Sequence, residues 1–298
     1  MWPFVRTALL VLCLAFVGIT VPDSAVRPAE LSLVKIRGAE GVDVGDDVIW
    51  ILGVGSDARP GESMTRTRGD AIQLIGLNTR TGAASAIGIA RDSWVPIPGF
   101  GSNRVNAALT FGGPALMGRT VGNMVGIQPD YVMVTRFPFF ENMINDIGGI
   151  YVDNPRPFAD PYLKPKQFAR GQIKLDGYSA MAFARIRKSL VGGDFDRSAN
   201  QQRVLRGIQA RIATRADQPG FIERGVVTVM RNMDTNLSPT EIFELAQVIA
   251  QVDPSKIRTC VVGGSYGTIG GASIIFPHLS QARRYGNAAR SDATLGPC

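Results

Sequence analysis

The sequence predicts an α/β domain, and three observations carry that prediction. Val48–Val54 is an unbroken apolar run, the signature of a strand buried on both faces. Two more strand-like runs, Asp70–Leu77 and Ala84–Ala90, follow it across turn-forming residues. Further along, apolar residues fall at helical spacing, with Phe140, Met143, Ile144 and Ile147 in one segment and Leu205, Ile208 and Ile212 in another. The 298 residues suit one large α/β domain or two small ones, and an apolar content of 45% is enough for a core.

Residues 1–24 hold the charge-free run Ala8–Val21, preceded by Arg6, which marks a cytoplasmic end. The run is shorter than the roughly 20 residues of a comfortable span. A cleaved signal segment and a retained membrane anchor both stay open, and either one exports the body. Cys13 follows Leu12, where a lipoprotein site needs a small residue. Residues 25–46 read as a tether with a weak strand at Leu31–Ile36, and 47–298 as the extracytoplasmic domain.

Within that domain, Gly55–Gly61 and Asn78–Gly82 read as turns, and Arg104–Asn106 as part of a polar loop. Pro114–Val125 has helical spacing, and Tyr131–Phe137 reads as a strand. A helix over Pro138–Ile147 stops at Gly148–Gly149. The proline-containing residues 153–174 read as an irregular excursion. Asp176 caps a helix to Ala184, and a long helix runs to about Thr214 with Gln201 continuing its apolar stripe. Ser238-Pro239-Thr240-Glu241 is a capping box that opens a helix to Val252. Ile257–Val262 is a late strand, and the Gly-rich residues 263–273 suggest no chemistry.

The net charge of +7 points to anionic partners. A single histidine, His278, in a loop near the C-terminus disfavours Ser-His-Asp and Cys-His mechanisms and any multi-histidine zinc site. Gly53-Val-Gly55-Ser-Asp-Ala58 fits a loose dinucleotide pattern, but Arg59-Pro60-Gly61 stands where a helix should open. Cys260 and Cys298 are an isolated pair in the exported body, hence a disulfide candidate.

What remains is arginine and aspartate chemistry. Asp57 follows one strand, Arg68 and Asp70 precede the next, and Arg91 and Asp92 follow the third. If the middle strand is antiparallel to its neighbours, these charges gather at one rim of the sheet. Arg185–Gln202 adds Arg185, Arg187, Asp194, Arg197 and Gln201 around a Gly-Gly break. If the chain is extended at Arg185–Arg187, both guanidinium groups point the same way and can grip phosphate oxygens. Aspartates bind a hard cation such as Mg²⁺ through oxygen, and the two residue types together suit phosphoryl transfer. A rim of interlocked salt bridges, or a solvated basic turn, is the bland alternative.

These residues stand in six ordered motifs: Gly55-Ser-Asp57-Ala-Arg59, Arg68-Gly-Asp70, Ala90-Arg91-Asp92-Ser93, Arg104-Val-Asn106-Ala-Ala, Arg185-Ile-Arg187-Lys188 and Gly193-Asp194-Phe195-Asp-Arg197-x-x-x-Gln201-Gln202. From about Val48 to Thr214 the chain resembles the LytR-CpsA-Psr family. The resemblance implies an α/β/α sandwich on a mixed central sheet. It also implies a membrane-attached phosphotransferase that moves a glycopolymer from a polyprenyl-pyrophosphate carrier to peptidoglycan, forming a phosphodiester. By motif, Asp57 and Asp70 would hold Mg²⁺, and Arg68, Arg91, Arg104, Arg185, Arg187 and Arg197 would face the pyrophosphate. Asp194 would order the arginines, and Gln201 would touch the head group. Apart from the motif roles, an aspartate near the metal would take the acceptor proton, with Asp92 as the candidate. Arg104 replaces a common lysine, Asn200 a frequent arginine, and Asp196 a frequent glycine. Phe137, Phe139, Phe140 and Met143 read either as a prenyl groove or as a core stripe. Two other classes compete: a nucleic-acid regulator, disfavoured by the export segment, and a non-catalytic lipid- or polymer-binding protein.

Overall fold

The computed structural model describes residues 29–42, 47–161, 165 and 167–298. The predicted N-terminal membrane segment lies outside the described residues. Among those described, no helix is long and apolar enough to cross a membrane.

The first half of the chain builds β1 (Leu31–Lys35), β2 (Val48–Ser56), β3 (Gly69–Asn78), β4 (Ala84–Gly88), β5 (Trp94–Ile97) and β6 (Gly101–Arg104). Helix α1 (Ala107–Val125), β7 (Tyr131–Arg136) and α2 (Phe137–Asp146) complete it. The second half adds β8 (Ile150–Asn154), β9 (Phe158–Ala159), β10 (Gln167–Phe168), β11 (Gly171–Leu175), α3 (Gly177–Arg185) and α4 (Asp194–Ala213). It ends with α5 (Phe221–Arg231), β12 (Met233–Thr235), α6 (Pro239–Ala250), β13 (Ile257–Val261), β14 (Gly264–Ile269), β15 (Ala272–Pro277) and α7 (Leu279–Ala289).

Seven strands form one mixed sheet in the order β12-β1-β7-β2-β3-β4-β13. β3 runs antiparallel to both β2 and β4, so its start lies beside their ends, the condition under which the strand-end charges gather at one rim. β2 is buried on both faces by simple alternation. Leu52 and Val54 face one core together with Leu109 and Leu116 of α1 and Tyr285 of α7. Ile49 and Ile51 face the other, with Ile242 and Leu245 of α6. Helices on both faces give an α/β/α sandwich. The long helix α4 crosses β3, β4 and β13 on the α6 side. It approaches closely at Gly88, where a Cβ would stand 2.4 Å from Ser198 Oγ, so a side chain there would push the helix off the sheet.

Several elements depart from the sequence reading. β1 lies inside the sheet, between β12 and β7, so the domain reaches back into the predicted tether. Arg104 ends a strand, β6, in a hairpin with β5, and is not in a loop. Residues 153–174 are not irregular: β8 pairs with β11 and β9 with β10, and the prolines at 155, 157, 161 and 165 lie between these strands. The helix predicted from Pro114 begins at Ala107 and breaks at Gly113 (φ 67°), where the following proline disfavours helical backbone. Residues 263–273 belong to the β14–β15 hairpin. Cys260 and Cys298 are joined, with Cα atoms 5.6 Å apart, which ties the C-terminal tail to β13 at the sheet edge.

Candidate functional site: an arginine–carboxylate cluster at a cavity mouth

The site begins at the strand ends. After β2, Ser56 Oγ donates to the Met64 carbonyl at 2.8 Å, and the Asp57 amide donates to the Arg68 carbonyl at 3.2 Å. Arg136, at the end of β7, donates to the carbonyls of Arg59 and Glu62 and clamps the same loop. Asp57 is thereby held exposed at the rim. Asp70, at the start of β3, pairs with Arg91. The loop after β4 is braced by the Val105 amide donating to Ser93 O at 2.7 Å. That loop carries Asp92, whose carboxylate meets three guanidinium groups: Arg104 at 3.4 Å, Arg91 at 3.7 Å and Arg187 at 3.7 Å.

The second half of the site comes from the α3–α4 connection. Asp176 accepts from the Ser179 amide at 2.8 Å and starts α3, as predicted. Arg185 is the last residue of that helix and not part of an extended segment. Buried Ile186 ends the helix with extended backbone (φ −57°, ψ 134°), and the two arginines part at that point. Arg185 stacks on the Phe137 ring at 4.2 Å and pairs with Asp57 at 3.4 Å. Arg187 pairs with Asp194 at 3.1 Å. The expected side-by-side fork is therefore corrected: Arg185 faces Asp57 while Arg187 faces Asp194 and Asp92, because the helix end and not a strand sets their directions. Gly193 (φ 57°) then turns the chain into α4. Asp196 holds that turn by accepting from the Gly192 amide at 2.8 Å, which gives this position a structural task.

Asp194 is 3% exposed and pairs with both Arg187 and the buried Arg197. Burial pushes the Arg197 pKa down, against the pull of Asp194, and neighbouring Arg91 adds to the cost of the charged form. At Arg91 burial also opposes the charge, but Asp70 and Asp92 outweigh it and raise the pKa. An arginine that is costly to keep charged gains from an incoming anion. Within the cluster Arg197 is such a residue.

Behind the cluster lies a cavity of about 1730 Å³ between the sheet and helices α2, α4, α5 and α6. Asp70, Arg91, Arg185, Arg187, Arg197 and Gln201 stand on its polar side. Its interior is apolar, with Ile51, Ile75 and Met133 from the sheet and Ile208, Val226 and Leu245 from the helices. Phe139, Phe140 and Met143 line it as well, so they form a cavity wall, while Phe137 also carries Arg185. Gly53 and Gly55 lie on the sheet side, which explains the G-x-G spacing without any nucleotide. A Cβ on Gly53 would meet nothing closer than 3.7 Å, so the glycine there leaves room and satisfies no backbone need.

The structure thus gathers Asp57, Asp70, Arg91, Asp92, Arg104, Arg185, Arg187, Asp194 and Arg197. It does not bring in Arg68, which is exposed, lines no part of the cavity and joins no ion pair among the described residues. Gln201 lines the cavity, but its amide is spent on the scaffold: it accepts from Gln73 at 3.1 Å and donates to Ala184 O at 3.3 Å. Asn200 is buried away from the cavity and accepts from Arg203 at 2.8 Å. Gln73 and Tyr266 were absent from the sequence reading, and Gln202 stood in a motif there without a role. Gln73 and Gln202 bond each other at 3.1 Å, and Gln202 donates to Cys260 O at 2.8 Å, which pins α4 to the sheet. Tyr266 Oη accepts from the Asp194 amide and donates to Gly192 O, both at 3.3 Å. Only an aromatic residue in a Gly-rich, strand-like run hinted at the last of these.

Fold and site together define an α/β/α domain with an anion-gripping mouth on an apolar cavity. The chain matches the LytR_cpsA_psr family over residues 28–290 and belongs to that family. Over 198 residues it is 30% identical to the polyisoprenyl-teichoic acid–peptidoglycan teichoic acid transferase TagU of Bacillus cereus, covering 66% of this chain and 63% of that protein. It is 30% identical over 241 residues to TagT of Bacillus subtilis, a transferase of the same description, covering 77% of this chain and 74% of that one. The solved structure of TagT bound to LI-WTA superposes with a TM-score of 0.68 at 25% identity, covering 84% of this chain and 92% of that one.

Proposed function

We propose that this protein is a phosphotransferase that moves a glycopolymer from a polyprenyl-pyrophosphate carrier to peptidoglycan. The carrying observation is the junction itself. An arginine cluster with buried Arg197 opens directly into an apolar cavity of about 1730 Å³, so one ligand with an anionic head and a long hydrocarbon tail satisfies both. The names of the relatives, polyisoprenyl-teichoic acid–peptidoglycan transferases, support the same donor and acceptor classes.

In this reading Arg91, Arg185, Arg187 and Arg197 bind the pyrophosphate oxygens. Asp194 keeps Arg187 and Arg197 aimed, and the Phe137 ring keeps Arg185 aimed. An acceptor hydroxyl attacks the phosphorus that bears the glycopolymer. A new phosphorus–oxygen bond forms, and the bond to the bridging oxygen breaks. The electron pair leaves with polyprenyl phosphate, whose charge the arginines hold. Asp92, fixed by its three guanidinium neighbours, takes the hydroxyl proton.

The residues present suit Mg²⁺. Asp57 and Asp70 offer hard carboxylate oxygens from the adjacent ends of paired strands β2 and β3. Such an ion uses one or two carboxylates and completes its shell from phosphate and water, and would neutralise charge on the pyrophosphate. With water in place of the acceptor, the same arrangement acts as a pyrophosphatase. The apolar N-terminal run holds the domain outside the cytoplasmic membrane, where its substrates meet.

Purified protein titrated with a fluorescent polyprenyl pyrophosphate tests this reading. Wild type binds, and Arg185→Ala and Arg187→Ala each bind at least about tenfold more weakly, as loss of a charge-assisted contact requires. Equal binding by both variants refutes the site.

A further inference from the structure

We propose that the β14–β15 hairpin and a second, smaller cavity beside it form the acceptor site, and that its ligand is a carboxylate-bearing peptidoglycan glycan strand. The inference rests on the phosphotransfer reading above. The second cavity has a volume of about 290 Å³ and is lined by Asp92, Arg187, Lys188, Tyr266, Ser273 and Ile275 among others. It is close to the lower bound for small-molecule sites, about 300 Å³, and so takes a sugar unit and not a polymer chain.

Its position follows the demands of the reaction. Arg187 and Lys188 line both cavities, whereas Asp70, Arg91 and Arg197 line only the large one and Asp92 and Asp194 only the small one. The two cavities therefore meet at the ionic cluster. In phosphoryl transfer the entering and leaving oxygens lie roughly in line across phosphorus. The leaving group is the lipid phosphate, whose tail fills the large cavity. The attacking hydroxyl then enters from the opposite side, where the small cavity opens beside Asp92.

The lining chemistry fits a glycan. Tyr266 lies directly opposite Ile275, and Thr268 opposite Ser273, so these side chains share one face of the hairpin. That face presents an aromatic ring and then two hydroxyls, running out towards the Gly270–Gly271 tip. Tyr266 is 57% exposed although its hydroxyl is bonded at both Asp194 N and Gly192 O, so the ring is held still with a face open to solvent. A fixed ring face suits the C–H face of a pyranose, and serine and threonine suit its hydroxyls. Arg187 and Lys188 suit the carboxylates that the peptide stems of such a strand carry. The hairpin is also hooked to the acid: the Ile275 amide donates to Asp92 O at 2.9 Å, and Ser93 bridges to Ile275. A sugar bound on the hairpin is thus held in register with the group that takes its proton.

The test uses Ser273→Trp and Thr268→Trp, two exposed positions that fill the small cavity or its approach; of the arginines that grip the pyrophosphate, only Arg187 lines that cavity. With lipid-linked donor and soluble peptidoglycan strands, the acceptor KM rises about tenfold or more while kcat is less affected, as expected for lost acceptor binding. An unchanged acceptor KM in both folded variants overturns the assignment. So does an equal rise in donor and acceptor KM, which marks a general lesion of the cluster. Direct titration of the full chain with the same strands separates the two proposals. If wild type binds them and Ser273→Trp does not, the acceptor site stands even where no transfer occurs, and only the phosphotransfer reading falls. If wild type binds no strands, the acceptor site falls.

Discussion

Gly53→Phe is the sharpest probe of the cavity. Gly53 stands four residues before Asp57 on β2, about 13 Å along the strand at roughly 3.3 Å per residue. Its backbone needs no glycine, and a Cβ there would meet only ordinary contacts, with Gln73 O at 3.7 Å and Ile75 Cδ1 at 3.8 Å. A phenylalanine therefore folds in place and projects into the cavity. If it displaces one isoprene unit, the loss is about 3–4 kcal/mol at roughly 0.8 kcal/mol per buried methylene, or about 10²–10³ in affinity. A short-chain analogue, such as geranyl pyrophosphate, ends before the plug and keeps its affinity. The assay is competition against a fluorescent prenyl pyrophosphate, with thermal melting as the control for folding. Equal affinity for a long-chain ligand in wild type and Gly53→Phe refutes the cavity as the lipid site. Equal losses for short and long chains refute the direction in which the chain is threaded.

Three further outcomes follow from the same geometry. Asp194→Ala strips Arg197 of its buried partner, which costs about 3–5 kcal/mol. The melting temperature should then fall by roughly 6–20 °C, and an unchanged melting curve would show that the pair is not load-sharing. Cys298→Ser opens the link between residues 38 apart in sequence. A loop of that size predicts a loss of up to about 4 kcal/mol, matched in wild type by added reductant; a reductant-insensitive wild type contradicts it. The third concerns pH. Asp176 is held below the ordinary aspartate pKa by its hydrogen bonds to Ser179. Its cap thus contributes above the unfolded pKa and is lost as pH falls through the folded one. Asp176→Ala should lower the melting temperature at neutral pH by an amount that vanishes in acid; a pH-independent difference would contradict the cap.

Wherever a property belongs to one segment, the sequence was enough. The β2 run announced a doubly buried strand because both faces of a central strand touch apolar layers. Asp176 and Ser238 announced helix starts because a cap is a bond between neighbours three residues apart. The rim of Asp57, Asp70, Arg91 and Asp92 needed only one assumption, antiparallel β3, to assemble from strand ends alone. The capping box was half right: Ser238 Oγ accepts from the Glu241 amide, but the Glu241 carboxylate is taken by Tyr131 and Lys35 from the sheet.

Tertiary structure alone decided what depends on distant partners. β12 and the short strands of the β8–β11 region form only because partners far along the chain or across a turn supply their hydrogen bonds, and composition carries no record of that. The direction of Arg185 and Arg187 depends on where α3 ends. Whether Phe139, Phe140 and Met143 are core or wall depends on the gap left between sheet and helices, because an apolar stripe looks the same against protein or against a hydrocarbon ligand. The β14–β15 hairpin reads as inert polar sequence until β13 and the Asp92 loop bring Tyr266 to within a hydrogen bond of Asp194. The residues that set the chemistry could be read from the chain, whereas the volume that sets the ligand and the side from which the acceptor enters arise only when the segments pack.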